Sequence, residues 1–372
     1  MEATKTKIAI TGFTLAKLAK EFEGLGKEQF RARHVFAWIY QKGVTSFAQM
    51  TDLSKNLRAF LEENYEIPRP ELATQQDSGE DGTRKFLFRV GDGKTIETVL
   101  IPAKDRLTQC VSSQVGCAMA CQFCNTGDMG LMRNLKTHEI IDQILESRRQ
   151  LDRPAEEIFG HKLSNVVFMG MGEPFHNLDA VIDAVEILTC DYGFGLSQRK
   201  ITVSTSGLVP SIDEFGKRSN ANLAISLNAT TDELRSEIMP VNKRWPLAEL
   251  MAACRRYPLK ANRRITFEYV LLNGLNDTLD DARRITQLLQ GIPSKINLIP
   301  YNPHPSSPFE RPELEKVYAM QKYLLNRGWN CTVRISKGRD ILAACGQLRS
   351  AEIERSKHRE RAERARVSAH AL

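Results

Sequence analysis

Between residues 110 and 124 the chain reads CVSSQVGCAMACQFC, four of its eight cysteines in one short stretch. Three of them, Cys117, Cys121 and Cys124, are spaced C-x3-C-x2-C. A tetrahedral zinc site takes a fourth nearby Cys or His, usually in a second paired knuckle. Cys110 is close in sequence but sits inside the preceding strand-like run. Three thiolates in one tight loop suit a cubane iron–sulfur cluster, with one iron left without a protein ligand. A substrate can coordinate an iron that is open in this way.

Two further thiols and one carboxylate stand out. Cys110 lies seven residues before the cluster motif, and Cys345 lies in 342-LAACGQL-348, far along the chain. Glu97 is part of 95-TIETVLI-101, on a face shared with Val99 and Ile101. A carboxylate among β-branched neighbours is desolvated, which raises its pKa and makes it a better proton carrier near neutrality. The turn 170-GMGEP-174 follows a strand-like run. A glycine pair at a strand end lets backbone carbonyls approach a ligand. The turn lacks the third glycine of a dinucleotide loop and carries a proline, so that reading is weak.

The elements that must position these residues follow from the pattern of the rest. Residues 1–73 read as a helical accessory domain, with Phe30, Val35, Trp38 and Ile39 on one helical face and Met50, Leu53, Leu57, Phe60 and Leu61 on another. The basic RARH at 31–34 is either an RNA-docking face or a solvated one. Residues 74–106 read as a linker and a β-hairpin, 84-RKFLFRV-90 and 95-TIETVLI-101 about a turn at Asp92–Gly93. From 107 to 348, seven strand-like runs alternate with helical patterns. That alternation predicts parallel strands with covering helices, an open or partial (βα)6 barrel of the α/β class, with its chemistry at the C-terminal strand ends. Residues 349–372 form a charged tail, expected to be a frayed helix or a disordered end.

Composition bounds the function. Of 372 residues, 42% are hydrophobic and 26% charged, an ordinary globular balance. Lys plus Arg is 52 against 45 Asp plus Glu, a formal charge of +7 that permits a nucleic-acid partner without demanding one. No run approaches the roughly 18 apolar residues of a membrane span. The reading is a cytoplasmic protein with no membrane partner and no obligate protein partner. In a reducing compartment its cysteines are metal ligands or catalysts rather than structural disulfides. Cys190, Cys254 and Cys331 read as small core residues.

The C-x3-C-x2-C motif with Phe123 before its last cysteine resembles the signature of radical S-adenosylmethionine enzymes. The resemblance implies a [4Fe-4S] cluster on Cys117, Cys121 and Cys124 that chelates and cleaves S-adenosylmethionine to a 5′-deoxyadenosyl radical. It further implies that Gly172, Glu173, Ser204, Ser226, Leu227, Asn228 and Asn302 complete the S-adenosylmethionine pocket. Asn228 stands where relatives often have His. The phrases CVSSQVGC, FCNTGDMGL, GMGEP, STSG, MPVNKR, LIPYNP and AACGQL together resemble the RNA adenine-C2 methyltransferases of 23S rRNA and tRNA, from about residue 20 to 349.

That narrower resemblance implies a reaction. Adenine C2 is electron-poor and cannot attack a sulfonium methyl, whereas a thiolate can. Cys345 takes a methyl from one S-adenosylmethionine. A second molecule gives the radical that abstracts hydrogen from the S-methyl group, and the methylene radical adds to C2. Cys110 then releases the thioether adduct, ending in a transient disulfide with Cys345. Glu97 is the implied proton acceptor. Two S-adenosylmethionine molecules are consumed per turnover, and an external electron donor such as a flavodoxin-type reductant serves the cluster. The near rival is a C8-methylating 23S rRNA resistance enzyme on the same cysteines. A different class of answer is a non-catalytic iron–sulfur protein that grips RNA. The basic pairs Arg31 with Arg33, Arg199 with Lys200, Lys243 with Arg244 and Arg263 with Arg264 read singly as solvated surface, and together as candidates for a phosphate-tracking groove.

Overall fold

The computed structural model describes residues 7–305 and 307–349. The charged tail beyond Arg349 therefore lies outside the described residues.

The N-terminal unit is helical, and its two ends meet. Strand β1 (Ile8–Ala9) pairs in parallel with β2 (Tyr65–Glu66). Between them run α1 (Leu15–Gly24), α2 (Phe30–Tyr40) and α3 (Lys55–Asn64). Helix α3 starts where the Ser54 hydroxyl accepts from the Leu57 N–H at 3.2 Å, satisfying one of the first-turn donors. The buried face of α2 is Ala32, Val35, Phe36, Ile39 and Tyr40. It is rotated from the expected stripe: Phe30 is 48% exposed, and the Trp38 indole donates outward to Asp52. The edge-to-face pair Phe36–Tyr40, with Phe194 tilted against Tyr40, anchors the helix on that other side. Met50 and Leu53 are buried as expected, but in the turn before α3 rather than on its face.

One ten-stranded sheet carries everything else that matters for the site. Its antiparallel part is β3 (Glu71–Asp77), β4 (Arg84–Arg89) and β5 (Thr95–Ala103). The expected hairpin is β4–β5. The polar stretch from 74 does not break the chain as expected, because its first residues belong to β3. That strand sits on the sheet edge with mostly exposed side chains, so its ladder with β4 holds it and no apolar alternation betrays it. The hairpin is thus an extension of the barrel sheet rather than a separate linker.

The parallel part begins with β6 (Arg106–Cys110). A small antiparallel pair, β7 (Gln114–Cys117) with β8 (Gly130–Asn134), interrupts it and frames the cysteine loop. Then follow α4 (Thr137–Arg149), α5 (Ala155–Phe159), β9 (Leu163–Phe168), α6 (Leu178–Thr189), β10 (Ile201–Thr205), α7 (Val209–Arg218) and β11 (Asn222–Ser226). The chain continues with α8 (Asp232–Ile238), α9 (Leu247–Arg256), β12 (Ile265–Leu271), α10 (Leu279–Leu288), β13 (Ser294–Pro300), α11 (Leu314–Leu325) and β14 (Cys331–Val333). Strand order is β14-β13-β12-β11-β10-β9-β6-β5-β4-β3, and each neighbouring pair from β6 to β14 is parallel. Every parallel step crosses over through helix, which gives the open, partial barrel of βα units that the alternation predicts.

The barrel interior departs from the packed core common in such barrels. Its inward positions include Thr108, Asn165, Thr202, Thr266, Asn297 and Thr332, which line a cavity of about 490 Å³. The basic pairs do not share one groove. Arg199–Lys200 and Arg263–Arg264 precede β10 and β12, at the N-terminal strand ends, whereas Lys243–Arg244 follow β11, at the opposite end. Among the described residues no helix is long and apolar enough to cross a membrane.

Candidate active site

Strand β6 delivers Cys110 to its C-terminal end, and β7 delivers Cys117. The loop that follows brings round Cys121 and Cys124. Its fit against β8 is tight: at Gly116 (φ +77°) an added Cβ would stand 1.9 Å from the Gly130 carbonyl oxygen. Cys117, Cys121 and Cys124 line one end of a cavity of about 170 Å³. Its remaining wall comes from the C-terminal strand ends: Gly172 and Glu173 after β9, Ser204 and Ser206 around the end of β10, Ser226 and Asn228 after β11, and Asn302 after β13. Cys345 and Gly346 close it.

The donor chemistry of that cavity fits the implied cluster. Burial pushes the Cys117 thiol up to about 12, with Cys124 and Glu173 adding in the same direction. Cys121 rises well above its ordinary range through burial and then through the charges of Cys124 and Cys117. Cys124 is likewise raised by burial. Three desolvated thiols that oppose one another's ionisation need cationic metal to become thiolates. Among the described residues no group of His, Cys, Asp or Glu closes on a single ion, as a zinc site would. A cubane instead spreads its thiolates over separate irons. Among the described residues, four buried polar atoms of this lining have no hydrogen-bond partner: Ser206 Oγ, Glu268 Oε2, Tyr301 Oη and Asn302 Oδ1. Gly172 (φ +101°) keeps the wall open, because a Cβ there would lie 2.5 Å from the Gln114 side chain.

The wall residues divide by how their polar atoms are used. Both Glu173 oxygens are engaged by backbone, Oε1 accepting from Phe175 N–H (3.0 Å) and Oε2 from Ser206 N–H (2.7 Å). Glu173 thus ties the β9 turn to the end of β10, and burial raises its pKa against those hydrogen bonds. Asn228 (φ +54°) spends its side chain on β12: Oδ1 accepts from Val270 N–H at 2.8 Å, and Nδ2 lies 3.3 Å from Met239 Sδ. Leu227 does not reach the cavity. Its side chain is fully buried, its N–H donates to Glu268 O, and its carbonyl accepts from Arg235 Nε. Asn302 reaches across to Ser336 Oγ (2.9 Å) and to the Cys345 carbonyl (3.3 Å).

Cys345 stands where two cavities meet. It lines the space of the three cysteines and also the barrel-interior cavity, whose wall includes Cys110. All eight cysteines are free. Cys110 is 7% exposed, and burial pushes its thiol up to about 12, the Cys345 thiol adding to the rise. Of the remaining cysteines, Cys254 and Cys331 are core residues as expected, while Cys190 is only half-buried, at the end of α6.

The segment carrying Cys345 is docked on three sides. Asn125 N–H donates to Gly346 O (2.7 Å) and Thr126 Oγ1 to Leu348 O (2.7 Å), from the cysteine loop. Gln347 Nε2 donates to Pro303 O, beside Asn302. From the hairpin side, Ser78 Oγ and Gly79 N–H donate to Asp340, and Gly338 N–H donates to Asp81. Glu97 belongs to this third side. It is 5% exposed, lines neither cavity, and holds Lys85 Nζ (3.1 Å) and Arg349 N–H (2.8 Å). Burial raises its pKa, and Lys85 and the Arg349 N–H pull it back.

Three charged residues of the cavity surroundings were not singled out by the sequence. Arg235 is fully buried and gives Nη2 to Ser206 O (2.7 Å) and Ser226 O (3.0 Å), Nε to Leu227 O and Nη1 to Asn242 Oδ1. It knits the ends of β10 and β11 beneath the cavity. Arg334 and Glu268 line both cavities beside Cys345. Their inward positions on β12 and just after β14 were a usable signal, a charge where a barrel strand faces its interior.

Comparison with known proteins places this geometry. Residues 8–67 match the ribosomal RNA large subunit methyltransferase N-terminal domain, and 111–287 match the radical SAM superfamily. The superfamily uses a [4Fe-4S] cluster and S-adenosylmethionine. The crystal structure of a radical SAM methyltransferase from Sphaerobacter thermophilus superposes with a TM-score of 0.85 at 45% identity, covering 92% of this chain and 99% of that one. The dual-specificity RNA methyltransferase RlmN of Geobacter sulfurreducens is 52% identical over 346 residues, 92% of each chain. That of Methylorubrum populi is 46% identical over 375 residues, 95% of this chain and 88% of its own. The chain belongs to the dual-specificity RNA methyltransferase RlmN family of radical SAM enzymes.

Proposed function

We propose that this enzyme methylates C2 of adenine in 23S rRNA and in tRNA, with Cys345 as methyl carrier. The observation that carries this reading is the position of Cys345 at the junction of two cavities, one bearing the cluster cysteines and the other Cys110. A thiol so placed meets a methyl donor on one side and its resolving partner on the other.

Cys117, Cys121 and Cys124 are the residues that hold the [4Fe-4S] cluster. When bound, cluster and S-adenosylmethionine supply a carbon-centred radical able to take hydrogen from an S-methyl group. Gly172, Ser204, Ser226, Asn228 and Asn302 wall the donor's cavity. Glu173 and Arg235 act behind that wall, fixing the strand ends through backbone groups. Cys345 accepts a methyl group by displacement, with sulfur as nucleophile. It then presents that carbon to the target adenine, which is extruded from its stack to reach the barrel. Cys110 attacks the Cys345 sulfur of the resulting thioether; the S–C bond breaks, its electron pair leaves with the carbon, which takes up a proton to become the methyl group, and the two cysteines end joined by a disulfide that thiol reductants reset. Glu97 accepts the C2 proton after exchanging its hold on Arg349 for the substrate.

The cycle consumes two S-adenosylmethionine molecules and draws electrons from a flavodoxin-type donor in the cytoplasm. Catalytic disulfides of this kind belong to a reducing compartment. Anaerobic reconstitution followed by assay on rRNA and tRNA transcripts tests the reading. Expected are 2-methyladenosine in both RNAs, none with Cys345→Ala, and a covalent protein–RNA adduct with Cys110→Ala. Methyl at C8, or methylation surviving Cys345→Ala, overturns it.

A further inference from the structure

The antiparallel extension β3–β5 has no part in the βα repeat, yet it carries most of the hydrogen bonds that dock the Cys345 segment on its outer side. At its centre is a buried ion pair. Lys85 is 7% exposed, on β4, and its Nζ lies 3.1 Å from Glu97 Oε1 on β5. Register places Lys85 opposite Val99 and Leu87 opposite Glu97, so the two charges are diagonal neighbours on one face of the hairpin. The same ammonium donates to the Leu342 carbonyl at 3.2 Å, and Glu97 Oε2 accepts from Arg349 N–H at 2.8 Å. These two bonds flank Cys345, three residues before it and four after. Leu342 has φ +51°, a left-handed conformation that a branched residue keeps only where its surroundings impose it. The Glu97 backbone is fixed as well, since its N–H lies 3.4 Å from Met171 Sδ and its carbonyl accepts from Ser112 Oγ at 2.6 Å.

We propose that Lys85 is a positioning residue for this reaction: it pairs with the Glu97 carboxyl and, through the Leu342 carbonyl, fixes the Cys345 segment against the hairpin. The proposal rests on the role given above to Glu97 and Cys345. It explains why a lysine is buried on the hairpin face that it shares with Leu87, Glu97 and Val99. It also links two events. When Glu97 takes the proton from adenine C2, the Lys85–Glu97 pair loses its charge attraction, and the segment that has just delivered its carbon is freed. Lys85 is the charged side chain that meets the Glu97 carboxyl. From the other elements the Glu97 carboxyl accepts from the Arg349 N–H, and the Glu97 backbone meets Met171 Sδ and Ser112 Oγ.

The test compares the full-length, cluster-loaded protein with Lys85→Met, Lys85→Arg and Glu97→Gln. Hydrogen exchange of residues 338–349 needs no RNA and no turnover. Lys85→Met and Glu97→Gln are each expected to speed it about tenfold or more, with residues 117–124 and the iron content unchanged. Lys85→Arg is expected to restore slow exchange. In the methylation assay the acid limb of the rate–pH profile moves to higher pH in Lys85→Met, because the carboxyl loses the cation that favours its ionised form. Lys85→Arg keeps the limb in place. Wild-type exchange in both Lys85→Met and Glu97→Gln overturns the proposal, whether or not RNA is methylated. Failure of the wild-type protein to methylate RNA, with the exchange effects present, overturns the reaction instead. Should Lys85→Met not fold, Glu97→Gln and Lys85→Arg carry the exchange comparison alone.

Discussion

The side-chain amide of Asn302 donates to the carbonyl of Cys345 at 3.3 Å, so a residue at the end of β13 holds the backbone of the thiol it faces. The same nitrogen reaches Ser336 Oγ at 2.9 Å, and its Oδ1 is left facing the cavity without a partner. Asn302→Ala is expected to slow methylation of Cys345 by S-adenosylmethionine about tenfold, equivalent to about 1.4 kcal/mol of lost positioning. Iron content should not change, because Asn302 touches none of the cluster cysteines' backbone. Peptide mass spectrometry of Cys345 without RNA reads the effect directly.

Buried thiols make the cluster-free protein sensitive to alkali. Cys110, Cys117, Cys254 and Cys331 each move from an ordinary 9.0 up to about 12, burial being the first cause in every case. The folded state therefore keeps its protons where the unfolded chain has lost them. Stability from these groups is complete below about pH 9 and falls as pH rises towards 12. Urea unfolding of the apoprotein is expected to show a lower midpoint at pH 10 than at pH 8. Cys254→Ala, which removes one such thiol far from the cluster loop, should flatten the fall. An equal midpoint at both pH values counts against it.

Arg235 is expected to be a keystone of stability rather than of chemistry. It is fully buried, and burial brings its pKa down only to about 10, so it remains charged at neutrality. Arg235→Met would take this donor from the Ser206 and Ser226 carbonyls, while the Leu227 carbonyl keeps the Ala229 N–H at 2.7 Å. Each unsatisfied group costs about 1–3 kcal/mol, so a loss of about 3 kcal/mol or more follows. Calorimetry should show a fall in Tm of several degrees. Arg235→Lys should recover less than half, since one ammonium cannot span acceptors on two strand ends.

How much of this was legible depends on how far apart the partners lie in the chain. The cysteine spacing is local, and the alternation of apolar runs reports each strand by itself, so the cluster loop and the parallel strands could be read directly. Strand β3 was lost because an exposed edge strand needs no apolar face. Arg235 was lost because its partners are carbonyls, which no residue letter announces. The Lys85–Glu97 pair spans twelve positions. The hairpin pattern gave Glu97 its face, but only the register shows that Lys85 shares it. Leu227 turns its side chain into the core while its neighbours Ser226 and Asn228 line the cavity, an alternation that the sequence run alone does not display. The basic pairs looked like one groove in a linear reading. Parallel strands put residues before a strand and residues after it at opposite ends of the barrel.

Arg334 provides the sharpest test of how Cys345 is made ready. Its guanidinium lines both cavities together with Cys345 and Glu268, and Nη1 lies 3.9 Å from Met169 Sδ. The charge is held above the ordinary arginine range, first by the Cys345 thiol and then by Glu268 and Cys110, against the opposing effect of burial. A cation so placed faces the sulfur that takes the methyl group in the proposed reaction. Arg334→Met is expected to slow Cys345 methylation about 10–100-fold, and Arg334→Lys to recover part of that. Glu268 competes for the same cation, its Oε1 accepting from Asn297 at 2.9 Å while Oε2 has no hydrogen-bond partner. Glu268→Gln should therefore leave the methyl transfer as fast or faster. The double variant should behave like Arg334→Met alone, since neutralising Glu268 matters only while the guanidinium is present. Additive effects in that cycle would mean that the two residues act on Cys345 independently, and a wild-type rate for Arg334→Met would leave the guanidinium a purely structural part of the barrel wall.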